Sequence, residues 1–502
     1  MLQRRNRVTA VGGAVFLVAA LTTGQAAQAG QVSHSARATS SAMPRPSWWH
    51  KLQVVSAPSF RSVSARRTGG RLTFGANVDV SHETGPQSET SIAIDPSRPT
   101  RLVAGSNEIA RLPMRGYFST DDGKSWGGVD LPLPPPLTDN GFDFGSDPGV
   151  AWDTRGNVYY SYIVVYFSAG GAVNGSELAV ARSSDGGRHW RSTYFSRHRG
   201  GAKFNDKPMI TVDNDPSSPY LGTVYVAWDT TNGSGGVPST TGIMVSRSTD
   251  EGKSFSRPVF ASDTLGGPRF GFGADPFVAP DGTLHVAWHD FVANAVVQSA
   301  STDGGLSFGP TRTVAPTVLP FGTSIPAQAS RGVVVYPACD ADASHGPHRG
   351  TLYCSWMDAN GASGTDIFVA RSTDAAHTWT HPIVVNDDRV GAHNDQFNQW
   401  LAVDPVTGVV AVSWNDTRLD PTHVATNVFA AVSTDGRRFS PNVRVTTAPT
   451  DESAAGADAG NQYGDYEGID AYGGHVHPVW TDRRAALPNR LDEEVFTARL
   501  LE

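Results

Sequence analysis

The sequence predicts an all-β ring, a β-propeller of seven four-stranded blades closed by an N-terminal strand, with a six-bladed ring as the alternative. Three observations predict it. A turn sequence, Ser119-Thr-Asp-Asp-Gly-Lys-Ser-Trp126, recurs through the chain with its aspartates 53 to 71 residues apart, the signature of a repeat architecture. Between the copies lie short apolar runs bounded by Gly, Asn, Asp and Pro, and no stretch longer than a turn or two has helical periodicity. The last repeat also ends after its third strand, which leaves room for a strand from the start of the chain.

The turn has a local physical meaning. Ser and Asp side chains accept hydrogen bonds from backbone N–H groups just ahead of them, the glycine supplies a positive φ, and the aromatic packs the returning strand on the sheet. Ser183–Trp190, Ser248–Phe255 and Ser301–Phe308 keep the pattern. Ser372–Trp379 puts alanine where the glycine stands, and Ser433–Phe439 is one residue short. Each copy follows a strand-like run such as Ile243-Met-Val-Ser-Arg247. The motif therefore reads as a structural hairpin turn that carries the fold rather than the chemistry.

The opening strands of the repeats read as Ile92–Asp95, Val150–Asp153, Ile210–Asp213, Phe277–Pro280, Val333–Tyr336, Leu401–Asp404 and Gly468–Ala471, seven openings against six Asp turns. The second strands include Val224–Trp228, Leu284–Trp288, Val410–Trp414 and His475–Trp480. Val495–Arg499 is the last strand, and a strand within Leu72–Val80 is expected to complete the seventh blade and hide the sheet edges. The propeller domain is placed at 72–502.

Ahead of it, residues 1–29 read as a secretory signal: Arg4, Arg5 and Arg7, then the apolar Val11–Leu21, then Ala27-Gln28-Ala29. Residues 30–70, rich in Ser, Ala, Arg and Pro, read as a flexible lead-in whose bulky Trp48 and Trp49 could pack on the body. No later run reaches the roughly 20 apolar residues of a membrane span. The formal charge of −8 has no basic block, so no nucleic acid partner is expected. The protein is expected to be secreted, extracellular and a monomer. Cys339 and Cys354, the only cysteines, sit on successive strand-like runs and are expected to form a disulfide across one hairpin.

The repeated S-x-D-x-G-x-x-W turns resemble the Asp-box (BNR) repeats of the sialidase superfamily over about 72–502. That resemblance implies a sialidase-like propeller, and the superfamily also holds other glycosidases, lyases and non-catalytic propellers. The F/Y-R-I-P motif that usually supplies a substrate-binding arginine near the start of sialidases has no counterpart here; Ala110-Arg-Leu-Pro113 comes nearest.

Topology places the site on its own. If the Asp turn joins strands three and four at one face, strand one begins at the other face, beside the channel. The residues there are Glu89, Asp147, Asp206, Asp275, Asp395 and Asp465, with Arg331 in the fifth repeat. Two such acids could serve as general acid and as nucleophile or base, or several could hold Ca2+ through oxygen ligands, although no cofactor is required. Alternatively each caps its strand and bonds the neighbouring blade. Lys207 could lower the pKa of nearby acids.

Trp414-Asn-Asp-Thr-Arg418 and Trp480-Thr-Asp-Arg-Arg484 repeat one another and place Asp416, Arg418, Asp482 and Arg484 at the same mouth, as substrate clamps or as mutual ion pairs. Tyr466 beside Glu467 loosely resembles the tyrosine nucleophile and glutamate of sialidases. His289, His393 and His475 fall at different repeat positions and are read as structural. Two functions therefore stand side by side. One is a secreted sialidase-like glycoside hydrolase on exposed glycans, using Asp206, Asp275, Asp395, Asp465 and Glu467 with Tyr466, a polysaccharide lyase being a variant of it. The other is a non-catalytic propeller that binds a glycan, a protein or a cation.

Overall fold

The computed structural model describes residues 48, 51, 74–83, 85–138, 141–234, 237–262, 271–360, 364–389, 392–484 and 492–500. The expected leader, and the lead-in apart from Trp48 and Lys51, lie outside the described residues. Seven four-stranded antiparallel sheets follow one another as blades, the first six each built from strands adjacent in the chain. Blade 1 is Gln87–Ile94, Leu102–Glu108, Arg115–Ser119 and Gly127–Asp130. The first strand of each blade lies innermost, against those of its neighbours. Among the described residues no helix is long and apolar enough to cross a membrane.

The ring closes as the truncated last repeat requires. Gly468–Tyr472, His475–Asp482 and Glu494–Thr497 form three strands of blade 7, and Val78–Asp79 supplies the fourth. Val78 stands opposite Thr497 and Asp79 opposite Phe496. Backbone hydrogen bonds from Val80 N to Val495 O (2.7 Å) and Gly75 N to Arg499 O (3.1 Å) extend the pairing. The seam gives blade 7 the four strands of the other six blades.

Each Asp turn does what its residues suggest. In the first, Gly123 N donates to Ser119 Oγ (3.0 Å) and Ser125 N to Asp121 Oδ1 (2.9 Å). Gly187, Gly252 and Gly305 repeat the first bond at Ser183, Ser248 and Ser301. The fifth copy keeps the geometry without glycine: Ala376 N donates to Ser372 Oγ at 3.0 Å. There Ala375 and Ala376 hold φ of 53° and 63°, in the left-handed region. Between blades, the tryptophan of the second strand fills the core, as Trp228, Trp288, Trp356, Trp414 and Trp480 are all fully buried.

One element departs from expectation. Val333–Tyr336 is not the innermost strand of blade 5; that place belongs to Ala338–Ala341, which pairs with Leu352–Ala359. Val333 and Val334 end a separate hairpin, Gly322–Ile325 with Gln328–Val334, inserted between blades 4 and 5. Both segments are short and apolar, so composition alone cannot rank them. Cys339 and Cys354 face each other across the first hairpin of blade 5 and form the expected disulfide, worth about 3 kcal/mol for a loop of this size. Trp48 is buried and stacks on Phe204 with ring centroids 4.7 Å apart.

The two alanines give a direct test. A left-handed φ costs a residue with a Cβ roughly 1 kcal/mol that glycine avoids. Ala375, exposed at the turn, should give a more stable protein as Ala375→Gly, by about 0.5–1 kcal/mol in urea unfolding. An unchanged or lower midpoint would mean that the turn is not strained.

Candidate functional site

The site begins with a defect in the innermost strands. In blades 1, 2, 3, 4 and 6 the pairing of strand one with strand two slips, between Ser88 and Ser91, Ser146 and Gly149, Asp206 and Met209, Phe272 and Asp275, and Phe397 and Trp400. Within each slip one residue has positive φ: Glu89 (52°), Asp147 (59°), Lys207 (49°), Gly273 (78°) and Asn398 (48°). Such β-bulges re-aim side chains. Here they deliver Glu89, Asp147 and Lys207 to the ring axis, where groups from blades that are not neighbours can meet.

Lys207 of blade 3 reaches Asp465 at the entry of blade 7, Nζ to Oδ2 2.5 Å, and lies 3.4 Å from Glu89 Oε1 of blade 1. Arg331, carried in by the inserted hairpin, holds the other oxygen of Asp465 (Nη2 to Oδ1 2.5 Å) and lies 3.7 Å from Glu89 Oε1. Asp465 N donates to Glu89 Oε1 (3.1 Å). Asn107 Nδ2 donates to Glu89 Oε2 (2.7 Å) and to Asp147 Oδ1 (3.3 Å). Asp206 shares a hydrogen bond with Asp147. Asp229 stands opposite Asp206 on the second strand and accepts Gly273 N at 3.0 Å.

Five carboxyl groups thus surround two cations in a region closed to water, and they do not ionise alike. Burial pushes Asp147 up to about 7 and Asp229 to about 8, and it also raises Asp206 and Glu89. For Asp465 the attraction of Arg331 and Lys207 outweighs burial, and its carboxyl is held below the ordinary range. Lys207 is raised, because the attraction of Asp465 and Glu89 overcomes its own desolvation. The arrangement pairs one secure carboxylate with neighbours that keep protons at neutral pH. Several polar atoms also keep unused capacity: Arg331 Nε and Nη1, Asp206 Oδ1 and Asp229 Oδ1 have no hydrogen-bond partner.

The cluster is covered. Lys207, Arg331, Glu89 and Asp465 are at most 4 % exposed. The inserted hairpin and the segment before blade 7 lie over them: Gln462 Oε1 accepts Ser330 N and Arg331 N (3.2 and 3.0 Å), and Gln328 Nε2 donates to Gly464 O (2.8 Å). Beneath, Met209, Phe272, Tyr336 and Tyr466 form an apolar floor. On the far side of that floor the channel opens toward the Asp turns as a cavity of about 670 Å3, lined among others by Asp213, Asp340, Asp470 and Arg349.

The other residues singled out from the sequence fall elsewhere. Asp275 accepts Cys339 N of the next blade at 2.6 Å, the strand-capping alternative. Asp340 and Asp470 do the same for Val403 N and Ile94 N. Asp395 is buried at the blade 5–6 junction, where it accepts Thr365 N (3.2 Å). Glu467 turns away from Tyr466 to accept Asn415 Nδ2 (2.8 Å) and Thr481 N (3.0 Å). Tyr466 lies in the floor, its hydroxyl donating to Pro148 O (3.2 Å) and its ring 5.6 Å from Lys207 Nζ. Burial first, then nearby Glu89 and Asp147, raise its pKa well above the ordinary value, so Tyr466 is a neutral phenol here.

Arg418 and Arg484 pair with Asp416 (2.8 Å) and Asp482 (2.5 Å). Trp414 and Trp480 donate their indole N–H to the same two carboxylates, and the guanidiniums lie over Phe429 and Phe496. The two loops are copies of one internal clasp. Lys51, from the lead-in, is fully buried, donates to Gly145 O (2.6 Å) and sits in the field of Glu108 and Asp147. Nothing in its Ser- and Arg-rich surroundings marks it.

No protein-family model matches the chain, and no curated protein does. Solved structures similar to it include a Hadza microbial sialidase (14% identity, 72% of each chain, TM-score 0.41). A leech intramolecular trans-sialidase is similar at 12% identity, with 72% of this chain and 69% of that one covered and a TM-score of 0.45. The GH93 α-L-arabinofuranosidase of Fusarium graminearum has 12% identity, 72% and 98% coverage and a TM-score of 0.45. These are similarities of chain path.

The buried acids fix a pH dependence of stability. Asp147 and Asp229, like Asp470 (about 7) and Asp340 (about 6), bind a proton more tightly folded than unfolded. Their stabilisation is present in full below the unfolded value and is lost as pH rises through the folded values. The melting temperature should fall between about pH 5 and about pH 9; a profile that rises over that range would contradict the assigned protonation. Lys207→Met, which strips a buried carboxylate of one partner, should cost about 3–5 kcal/mol in denaturant unfolding.

Proposed function

We propose that this protein is a glycoside hydrolase acting on carbohydrate at the end of the channel away from the Asp turns. One observation carries the reading. In a single cluster Asp465 is ionised by Lys207 and Arg331, while the hydrogen-bonded pair Asp147–Asp206 holds a proton near neutral pH. Glycosidic cleavage asks for that division between a carboxylate facing the developing positive charge and a carboxylic acid that protonates the leaving oxygen. The low proton affinity of Asp465 suits a nucleophile or an electrostatic partner better than a proton acceptor. The pair Asp147–Asp206 then acts as the acid.

The unused donors of Arg331, Nε and Nη1, suit an acidic group on the sugar, a carboxylate above all, through charge-assisted hydrogen bonds. This favours a sialic or uronic acid over a neutral sugar. Lys207 and Arg331 already supply the positive charge among the acids, so the reading needs no Ca2+. Entry requires the hairpin Gly322–Ile325 with Gln328–Val334 to lift from the cluster. We place the protein outside the cell, where exposed glycans occur and the Cys339–Cys354 disulfide persists.

The near-complete burial of the cluster favours a second reading, a non-catalytic propeller whose axis is plugged by a salt-bridged core. The two part on turnover. The purified protein should hydrolyse a sialoside or uronide from a chromogenic panel, with activity falling as pH rises above about 7, because the acid must keep its proton. Asp465→Asn should lower kcat by at least about 100-fold. Tyr466→Phe, which gives up a single 3.2 Å hydrogen bond, should stay active if Asp465 is the nucleophile. A folded Tyr466→Phe protein without turnover would move that role to Tyr466, and silence across the panel would leave the plugged scaffold.

A further inference from the structure

A second cluster lies at the seam where the ring closes, on the face of the Asp turns and away from the acid core. In the Asp turns of blades 2, 3, 4 and 6 the residue after the motif aspartate faces the blade before it. Glu251 shows the rule, reaching Arg182 of blade 2 at 2.9 Å. In blade 1 that residue is Asp122, with φ of 63°, and the blade before it is blade 7. It meets His475 and His477, two residues apart on the strand His475–Asp482 and therefore on one face of it. Asp122 Oδ1 is 2.8 Å from His475 Nδ1 and 3.1 Å from His477 Nε2.

We propose that Asp122, His475 and His477 form a binding site for a borderline-soft divalent cation, Zn2+ in the first place, that clasps the two ends of the ring. The three donor atoms all lie within 4.8 Å of one another. Two imidazoles and one carboxylate are a donor set that selects Zn2+ over Ca2+ or Mg2+, which prefer oxygen ligands alone. The carboxylate is oriented from behind. Arg499, just past the last strand of blade 7, holds Asp122 Oδ2, so Oδ1 is the oxygen left to face the imidazoles. Outer partners of that kind fix a ligand in its binding geometry. His477 is fully buried and its Nδ1 has no hydrogen-bond partner, whereas the His475 side chain is 20 % exposed and gives an ion its way in.

The ligands also explain what the cation would do. Asp122 belongs to the first Asp turn and the histidines to the last blade, more than 350 residues on. A shared ion would tie the start of the ring to its end beside the short closing strand Val78–Asp79. Because such a site exists only in the closed ring, binding adds to the stability of the folded state alone, by an amount that grows with the logarithm of free metal.

The test uses the full chain, treated with chelator and titrated with Zn2+ in a calorimeter. One equivalent should bind, the melting temperature should rise with Zn2+, and Ca2+ at the same concentration should do neither. Co2+ in place of Zn2+ should give the visible absorption of a site with nitrogen ligands. His475→Ala, at the partly exposed ligand, should keep the fold and weaken Zn2+ binding by at least about tenfold. Asp122→Asn should weaken it as well. Absence of stoichiometric binding, or binding that His475→Ala leaves intact, would overturn the site and leave the cluster as a hydrogen-bonded clasp.

Discussion

Lys207 and Arg331 take the two oxygens of Asp465 at the ring axis, and the electrostatics of the interior hang on that contact. Five carboxyl groups and two cations share one buried region. Were all of them ionised, the surplus of negative charge would be intolerable at such low dielectric. The surplus is removed by protons, which stay on the acids least able to reach a cation. Asp465 gives its proton up first because both cations touch it, while Asp147 and Asp229 hold theirs because burial outweighs the more distant attraction of Lys207. Different proton affinities in like groups are thus a consequence of which bulge points where.

The same economy of position runs through the blade seams. Innermost strands of neighbouring blades belong to different sheets, so their outward backbone groups need other partners. Asp275, Asp340 and Asp470 supply them, each accepting an N–H from the next blade. Nearer the rim, the Asp turns add a second stitch, and its chemistry differs from seam to seam. Glu251 meets an arginine, Gly304 lies against Tyr220 and Arg247, and Asp122 meets two histidines and an arginine. A repeat that is uniform in backbone is therefore individual at each junction.

That contrast explains what could be read from the sequence. The turn motif is local, its residues bond within a few positions of one another, and its recurrence exposed the blades, their number and the closing strand. The site depends on register, which the motif does not specify. Asp275 stands two residues after the bulge at Gly273 and Asp395 three before the bulge at Asn398, so neither joins the axial cluster, although both flank an opening strand. In blade 3 the bulge falls on Lys207, and Asp206 reaches the cluster from one place earlier. The insertion that carries Arg331 was hidden for another reason: Val333–Tyr336 has the composition of an inner strand, and only the pairing of Cys339 with Cys354 shows which segment took that place. Long-range partners such as Lys51 left no local sign at all.

The proposed hydrolase reading reconciles a closed cluster with catalysis through the way the cover is attached. The seven blades are each four strands wide and packed on both faces, whereas the hairpin over the axis is two strands wide and belongs to none of them. A two-stranded hairpin has little stability of its own, and this one is held by Gln462 and Gln328 bonding to backbone groups and by Ile325, Ala327, Val333 and Val334 packing into the core. Local opening draws on single elements of a fold rather than on whole sheets, and on the proposed reading the hairpin that opens also carries Arg331. Lifting it would withdraw one of the two cations from Asp465 and leave Lys207 as its sole counter-ion. The carboxylate would then regain part of its basicity and nucleophilicity at the moment the axis becomes reachable. Returning with an acidic sugar beneath it, Arg331 would meet two carboxylates, with Nε and Nη1 as donors to spare. On the proposed hydrolase reading, access and activation would be coupled through the charge of one residue.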